Sequence, residues 1–265
     1  MGPSDLEPAT ATRRRWGLSH RITWLGHATV LIELGPLRVL TDPVLRGRIA
    51  HLRRHVPPAE PPGRLDAVLL SHLHRDHADG PALRRLPRAV PVLVPVGAGR
   101  VVRGLGPREV VELRAGESIP LHGGTVTAVP AEHDGRRSPL HSPAAALGFI
   151  VERGPRVYFA GDPDLFAAMA ELRPLDVALL PIWGWGSSLG PGHLDPETAA
   201  RAVGLLQPRA VVPIHWATYL PFGYPRGHPL LREPGDAFAA HVAELAPAAR
   251  VALLRPGESF DLTHE

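Results

Sequence analysis

The sequence predicts a mixed α/β fold arranged in layers, and two features of the chain indicate it. Short segments rich in β-branched and aliphatic residues recur along the chain, each bounded by glycine, proline or aspartate, as is typical of strands. Helical hydrophobic patterns interrupt them, so that strands dominate first and alternate with helices later. That order is typical of sheets covered by helices.

The strand patterns begin near the N-terminus, where Gly35-Pro36 marks a turn between the second and the third strand. The predicted strands are residues 22–25, 29–34, 37–40, 67–70, 91–95, 110–113, 125–129, 147–152, 157–160, 177–180, 210–214 and 250–254. The predicted helices are residues 80–86, 164–172, 196–206 and 235–245. The third helix has the clearest start, because Asp195 is a good N-cap and Pro196 suits the first helical position.

The chain of 265 residues is predicted to form one domain over residues 1–265, with residues 1–19 as an N-terminal arm. Residues 57–63 contain four prolines, which we interpret as a rigid surface loop within that domain. Residues 1–12 are polar, and the longest apolar runs are far too short to span a bilayer. We therefore expect a cytoplasmic protein without stable membrane insertion.

Three residue counts limit the kinds of site and partner that the chain can have. The absence of cysteine excludes disulfides, thiolate nucleophiles and thiolate metal sites. Fifteen histidines direct the search towards an imidazole-based metal or acid–base site. All 29 basic residues are arginine and the net charge is only +3, so the composition gives little support for a nucleic-acid partner.

The strongest chemical signal is the stretch Ser-His-Leu-His-Arg-Asp-His-Ala-Asp at residues 71–79, directly after an apolar strand. His72, His74, Asp76 and His77 place four candidate ligands within six residues at a strand's carboxyl end, where α/β folds place their sites. Imidazole and carboxylate suit zinc and related divalent metals, and a set without thiolate favours an open, catalytic site.

This stretch resembles the His-x-His-x-Asp-His signature of the metallo-β-lactamase superfamily. The remaining ligands of that family are expected in order, each after a strand, and His133, Asp162 and His215 occupy those positions. The resemblance covers residues 21–262 and implies a four-layer αββα sandwich.

Three further segments resemble one branch of the superfamily, which includes L-ascorbate-6-phosphate lactonase and N-acylphosphatidylethanolamine phospholipase D. They are Trp-Leu-Gly-His-Ala-Thr at residues 24–29, Thr-Asp-Pro at 41–43 and Gly-His-Leu-Asp-Pro-Glu at 192–197. Two departures stand out. Pro163 follows the expected bridging aspartate, where the family usually has threonine or serine, and Asp-Gly-Arg-Arg at 134–137 replaces the aromatic residue and serine of phospholipase-like members. The second departure argues against transferring the phospholipase activity directly.

The resemblance implies a site for two divalent ions, zinc in the first place with manganese or iron as alternatives. It assigns His72, His74 and His133 to one ion, Asp76, His77 and His215 to the other, and Asp162 to a bridge between them. Such a pair activates water and clamps a substrate oxygen.

Two of the site residues are candidates for a catalytic role. Asp76 is expected to steer the proton of the attacking water as well as to bind metal. His193 is our candidate to protonate the leaving group, and a role in capping or in supporting a ligand is an equal alternative. His27 is expected to orient a ligand or to belong to the core, and Asp42 and Asp79 are expected to hold ligand histidines in position.

The substrate side is less defined. Arg137, beside Arg136, could bind a phosphate or carboxylate, or form part of a solvated pair. Trp183 and Trp185 follow a strand and could form an apolar wall of the pocket, although core packing is the alternative.

The leading functional hypothesis is a dinuclear hydrolase that cleaves an ester, lactone or phosphodiester in a small anionic molecule. The alternative is a phospholipase D-like lipid phosphodiesterase, for which no amphipathic insertion helix is evident. A nucleic-acid hydrolase ranks below both, since no basic patch interleaved with aromatic residues is present. We expect a small-molecule partner and no nucleic acid.

Overall fold

A computed structural model describes residues 19–133, 145–185 and 192–262. The strands, in chain order, are β1 (His20–Gly26), β2 (Thr29–Leu34), β3 (Leu37–Thr41), β4 (Arg48–Ile49), β5 (Leu52–Arg54), β6 (Ala67–Leu69), β7 (Val92–Pro95), β8 (Val110–Leu113), β9 (Ser118–Leu121), β10 (Gly124–Pro130), β11 (Leu147–Glu152), β12 (Arg156–Phe159), β13 (Val177–Pro181), β14 (Ala210–Ile214), β15 (Tyr219–Pro221), β16 (Arg250–Val251) and β17 (Ser259–Asp261). The α-helices are α1 (Gly80–Arg85), α2 (Gly99–Leu105), α3 (Pro196–Leu206) and α4 (Glu233–Leu245). Two 3-10 helices cover Ala167–Leu172 and Pro229–Leu231.

The strands form two seven-stranded sheets and one small sheet within these described ranges. The first sheet has the order β17-β1-β2-β3-β6-β7-β8, and the second has the order β16-β14-β13-β12-β11-β10-β9. Each sheet has a central set of strands that run parallel to one another: β3, β6 and β7 in the first, and β12, β13 and β14 in the second. The small sheet has the order β15-β5-β4.

One hydrophobic core joins the two large sheets. Trp24 and Ile32 of the first sheet and Phe149 and Phe159 of the second belong to the same buried cluster. Helices α3 and α4 add side chains such as Phe238 to this cluster. A second cluster on the other face of the first sheet includes residues of α1 and α2. The layers are therefore helix, sheet, sheet and helix, which confirms the expected αββα sandwich.

Most predicted elements recur with shifts of one or two residues, and two differ for identifiable reasons. The last predicted strand ends at Val251. Val211 faces β16 and accepts from the Ala252 amide at 2.9 Å, and the next residue of β14 on that side is Pro213, which has no N–H to donate. The predicted helix at 164–172 is a 3-10 helix that begins at Ala167. Residues 164–166 of the predicted helix lie in a loop, where the Asp164 amide donates to the Glu132 carbonyl at 2.9 Å.

Two other local expectations are confirmed. Asp195 caps α3 through a capping box with Thr198, whose amide donates to Asp195 Oδ1 at 2.7 Å. Residues 57–62 form a loop without regular structure.

Of the N-terminal arm, residues 1–18 lie outside the described part of the chain. Within the described ranges, no helix combines the length and apolar character that crossing a bilayer requires.

Candidate metal centre

The candidate ligands come from the carboxyl ends of four strands. His72, His74, Asp76 and His77 lie in the loop between β6 and α1. His133 follows β10, Asp162 follows β12 and His215 follows β14 at once. The structure brings all seven predicted ligands together where the two large sheets meet.

Three histidines form what we call site 1. His72 Nε2 lies 2.9 Å from His74 Nδ1, and His133 Nε2 lies 3.3 Å from the same atom. A tetrahedral zinc ion with Zn–N bonds of about 2.0–2.1 Å places its ligand atoms about 3.3–3.4 Å apart. The three nitrogens therefore have the spacing of ligands around one ion.

Site 2 is formed by Asp76, His77 and His215. His77 Nε2 and His215 Nε2 lie 3.1 Å apart, and each is 3.6 Å from Asp76 Oδ2. Asp162 Oδ2 lies 3.9 Å from His77 Nε2 and 3.8 Å from His215 Nε2. The same residue also belongs to a group of possible ligands with His133 of site 1. Asp162 is therefore placed to serve both sites.

Hydrogen bonds on the outer side of four rings fix which nitrogen faces inward. His72 Nδ1 donates to the Ser71 hydroxyl (2.9 Å), and His77 Nδ1 donates to Asp42 Oδ2 (2.7 Å). His133 Nδ1 donates to the Gly192 carbonyl (3.1 Å), and His215 Nδ1 donates to the Trp183 carbonyl (2.6 Å). With Nδ1 protonated, each Nε2 lone pair is directed into the site. The donor set thus fits divalent cations.

Asp42 holds one side of this arrangement. It is fully buried, and its Oδ2 atom accepts from both His77 Nδ1 and the Ser71 hydroxyl, the latter at 2.5 Å. Its Oδ1 atom accepts from the Ser71 amide at 2.8 Å. The carboxylate therefore supports His77 directly and His72 through Ser71.

His27 lies closer to the ligands than a purely supporting residue requires. Its Nε2 atom is 3.0 Å from Asp76 Oδ2, and its ring centre is 3.9 Å from that of His215. Its carbonyl accepts from the His215 amide at 2.8 Å. His27 thus fixes both a carboxylate and a histidine of site 2, and its ring nitrogen also belongs to the group of possible ligands there.

The electrostatics of the site favour cation binding. Burial lowers the pKa of His72 well below its usual value and also lowers the pKa of His74 and His133, so these rings are neutral ligands. Burial opposes ionisation of Asp76 and Asp162, yet the surrounding histidines hold the pKa of both carboxyls below the usual value.

The pKa values of His77 and His215 are raised, opposite to those of the site 1 histidines. Burial disfavours their protonation, but Asp76 and Asp42 raise the pKa of His77 to about 9, and Asp162 and Asp76 raise the pKa of His215. Two rings are therefore able to hold protons against the buried carboxylates. A divalent cation would displace these protons and balance the same charge.

The remaining predicted residues lie at the rim, at the buried start of α1 or outside the described chain. His193 Nε2 is 3.6 Å from Asp162 Oδ2, and its ring is 5.1 Å from that of His133. Asp79 caps α1 and forms an ion pair with Arg46 at 2.7 Å. Arg137 and its neighbours at 134–136 lie outside the described residues.

The two tryptophans differ in role. The Trp183 carbonyl accepts from His215 Nδ1, while its side chain packs against the main core. The Trp185 ring lies 6.0 Å from the rings of His27 and His215 and packs against the small-sheet cluster that includes Tyr219. Trp185 is therefore the one placed beside site 2.

Sequence reasoning missed the support given by Ser71, Thr218 and two backbone carbonyls. Thr218 Oγ1 accepts from the His27 amide at 2.8 Å and donates to the Trp216 carbonyl. Ser71 could have been found, because it directly precedes the first ligand. The carbonyls of Trp183 and Gly192 have no signal in the sequence, since every residue type carries one.

Comparison with known proteins agrees with this geometry. The chain matches the beta-lactamase superfamily domain over residues 37–216. It is 34% identical over 252 residues to a metal-dependent hydrolase of Methanopyrus kandleri, with 91% of this chain and 99% of that protein covered. It is 33% identical over 226 residues to the N-acyl-phosphatidylethanolamine-hydrolyzing phospholipase D 1 of Caenorhabditis elegans, with 74% and 64% covered.

A solved structure shows the same likeness. The metallo hydrolase Igni18 of Ignicoccus hospitalis superimposes with a TM-score of 0.69 at 26% identity, with 93% of this chain and all of that chain covered. Family match, relatives and site geometry lead to one conclusion: the chain belongs to the metallo-β-lactamase superfamily and is a metal-dependent hydrolase.

Proposed function

We propose that this hydrolase uses two divalent ions, zinc in the first place, to cleave an ester, lactone or phosphodiester bond in a small anionic molecule. The observation that supports this most is the pair of adjoining ligand groups with Asp162 between them. The ring centres of His72 and His77, one from each site, are only 4.1 Å apart. Manganese and iron remain alternatives, because a site of nitrogen and oxygen ligands accepts each.

When bound, two such ions activate water and polarise the bond to be cleaved. The protein's own residues would orient the reactants and handle protons. Asp76 Oδ2 accepts from His27 Nε2 at 3.0 Å, which fixes its orientation towards site 2. In this proposal, Asp76 takes a proton from the attacking water.

His193 is the proposed proton donor to the leaving group. Its side chain is about a quarter exposed (26%), so it can contact both the site and an incoming substrate. The 3.6 Å separation from Asp162 Oδ2 keeps the ring beside the ligands of site 1. Trp185 would form an apolar wall next to site 2, and Arg137 stays a predicted anion contact.

Metal analysis and a substrate screen test the proposal. Purified protein should contain close to two ions per chain, and His74→Ala should lose metal from site 1 together with hydrolysis. His122→Ala is the matched control, because His122 is 55% exposed and pairs with Asp66 at 3.2 Å, remote from the ligands in the fold. A fully active His74→Ala protein would overturn the site assignment.

The proton-donor role has its own test. His193→Ala should keep both ions and slow the hydrolysis of substrates with poor leaving groups most, since activated leaving groups need no protonation. Equal slowing across leaving groups, or an unchanged rate on the poor ones, would leave His193 without this role.

A lipid phosphodiesterase is the second candidate, favoured by the 33% identity to the Caenorhabditis elegans phospholipase. A metal-supplemented screen should compare chromogenic phosphodiesters, lactones, short esters and long-chain N-acyl phosphatidylethanolamine, with RNA as a further arm. Preference for the small soluble substrates supports the main proposal. A preference for the lipid, or for RNA, would replace it with that alternative.

A further inference from the structure

A cavity separate from the metal centre lies beside the small sheet. It has a volume of about 330 Å³ and is lined by His55, Arg54, Arg226 and the prolines Pro57 and Pro58, among others. Small-molecule sites typically range from about 300 to 1,000 Å³. The two prolines have fixed φ angles, so this wall is rigid without a ligand.

His55 has polar atoms that the fold does not use. Both ring nitrogens, Nδ1 and Nε2, are buried and have no hydrogen-bond partner within the described ranges. Its amide, in contrast, donates to the Thr218 carbonyl at 2.8 Å, so the backbone is well fixed. Buried polar atoms are nearly always hydrogen-bonded, and an exception at the wall of a cavity points to a missing ligand.

Arg54 supplies a second, independent observation. Its side chain is 6% exposed, and its guanidinium donates only to neutral oxygens: the carbonyls of Leu25 (2.5 Å), Pro57 (3.1 Å) and Val44 (3.2 Å), and the Tyr219 hydroxyl (3.4 Å). No ion pair involving Arg54 occurs in the described part of the chain. Buried charges are normally paired, so a counter-anion is expected nearby.

Among the described residues, the charged side chains that line the cavity are both positive. Burial lowers the pKa of His55, and Arg53, Arg226 and His228 lower it further. Arg226 is exposed and forms no ion pair within the residues that the structure describes. The nearby Arg46 is already neutralised by Asp79 at 2.7 Å. The cavity therefore combines an imidazole, a buried cation and an exposed cation.

We propose that this cavity binds the phosphate group of a small phosphate monoester, at a site distinct from the metal centre. A phosphate monoester carries about −1.5 to −2 charges near neutral pH, which matches Arg54 and Arg226 together. Arg226 can bind phosphate oxygens in bidentate geometry, and a neutral imidazole donates one N–H to a further oxygen. Arg54 contributes its positive charge while its N–H groups stay on the carbonyls. The volume leaves room for the organic part of the molecule.

The cavity is connected to the metal centre through packed side chains. The Arg54 guanidinium lies 5.6 Å from the centre of the Tyr219 ring, and this ring meets the His27 ring edge-on at 5.5 Å. Arg54 also donates to the carbonyl of Leu25, two residues before His27. The bound phosphate would therefore lie behind the residues that support site 2, without contact with the ligands.

The test measures the binding of glycerol phosphate and inorganic phosphate to the metal-loaded protein. In ¹⁵N NMR spectra of the histidine rings, the His55 nitrogens should shift on titration, with the assignment made from His55→Gln. Arg226→Gln and His55→Leu should each weaken this binding about tenfold, the loss expected for one charge-assisted hydrogen bond. Arg226 is exposed, so its variant should fold normally.

Arg232→Gln is the charge-matched control, because Arg232 is 80% exposed and pairs with Asp236 outside the cavity lining. It should bind phosphate within about twofold of the unaltered protein, a difference below ~0.5 kcal/mol. The proposal is overturned if Arg226→Gln and His55→Leu bind as the unaltered protein does, or if all binding disappears in His74→Ala. The first result would show that the phosphate binds elsewhere, and the second would place it at the metals.

Discussion

Replacing Asp42 by asparagine tests how the protein presents His77 to a metal ion. The two oxygens of Asp42 accept three hydrogen bonds, from His77 Nδ1, the Ser71 hydroxyl and the Ser71 amide. Asparagine fits the same space but offers one acceptor and one donor. If its NH2 group faces the Ser71 amide, two donors meet at 2.8 Å, the distance that separates the Ser71 amide from Asp42 Oδ1. If it faces His77, the ring must accept at Nδ1, which leaves Nε2 protonated and unable to bind metal.

The expected magnitudes follow from these contacts. Loss of a residue that fixes a metal ligand typically lowers metal affinity by about 10–100-fold, or ~1.4–2.7 kcal/mol. Loss of a hydrogen bond to a buried charge typically costs about 1.5–3 kcal/mol of stability. We therefore expect Asp42→Asn to fold less stably and to bind the ion of site 2 at least tenfold more weakly.

Competition against a chromogenic chelator measures the two affinities, and thermal unfolding measures stability. Asp66→Asn is the matched control at the other end of β6: the Asp66 side chain is 3% exposed, and it accepts from the Arg38 amide at 2.8 Å. It should lower stability but leave both metal affinities unchanged. Metal binding by Asp42→Asn equal to that of the unaltered protein would refute the role assigned to the Asp42–His77 bond.

Three further predictions concern the surroundings of the ligands. Gly161→Ala should lower the free energy of unfolding by more than ~1 kcal/mol, because Gly161 has φ +74° and a Cβ atom there would lie 2.6 Å from Ser71 Cβ. An unchanged melting temperature would contradict this prediction. Thr218→Val removes the acceptor of the His27 amide and should weaken site 2 more than site 1, whereas equal loss at both sites would indicate a general packing defect. Removal of bound metal by EDTA should lower the melting temperature, and zinc should restore it, because a metal ion that binds only the folded chain stabilises it. A melting temperature insensitive to EDTA would argue against structural coupling.

The edge strands β9 and β17 were not among the predicted strands. The other strands of the two large sheets were predictable because their signals are local. Each combines a run of β-branched and aliphatic residues with a turn, and burial on both faces makes the run continuous. The ligands were predictable for a related reason, since the sharp signature at residues 71–79 follows such a strand directly. The layer arrangement then followed from the resemblance to a known superfamily.

The small sheet could not be predicted, because long-range contacts hold it together. Strands β4 and β5 are two and three residues long and contain Arg48, Arg53 and Arg54, which do not form an apolar pattern. The sheet exists because Leu52 and Ile49 pack with Tyr219, and because Arg54 binds carbonyls from three separate segments. Neither interaction has a signature in the local sequence.

Helix α2 was missed for a different reason. It contains Gly99 and Gly104, which disfavour a helix by about 1 kcal/mol each relative to alanine. Gly99 leaves room for the Glu112 carboxylate, which occupies the place where a Cβ atom would stand. The same carboxylate accepts from the Gly97 amide at 2.7 Å, just before the helix begins. Tertiary contact with β8 therefore outweighs the low helix propensity.

The most informative feature that the sequence conceals is the backbone of the site itself. His27, Asp42 and His215 have φ angles of 53°, 29° and 65°, a left-handed conformation that costs non-glycine residues about 1–2 kcal/mol each. Each directly follows a strand, and each amide is held by one hydrogen bond, to Thr218 Oγ1, the Leu69 carbonyl and the His27 carbonyl respectively. The turn at these corners directs the three side chains towards one another instead of along the sheet. Glycine could adopt these φ angles without strain, but it has no side chain to bind a metal ion or to support a ligand. The strain therefore follows from placing ligands and their supports at the ends of strands.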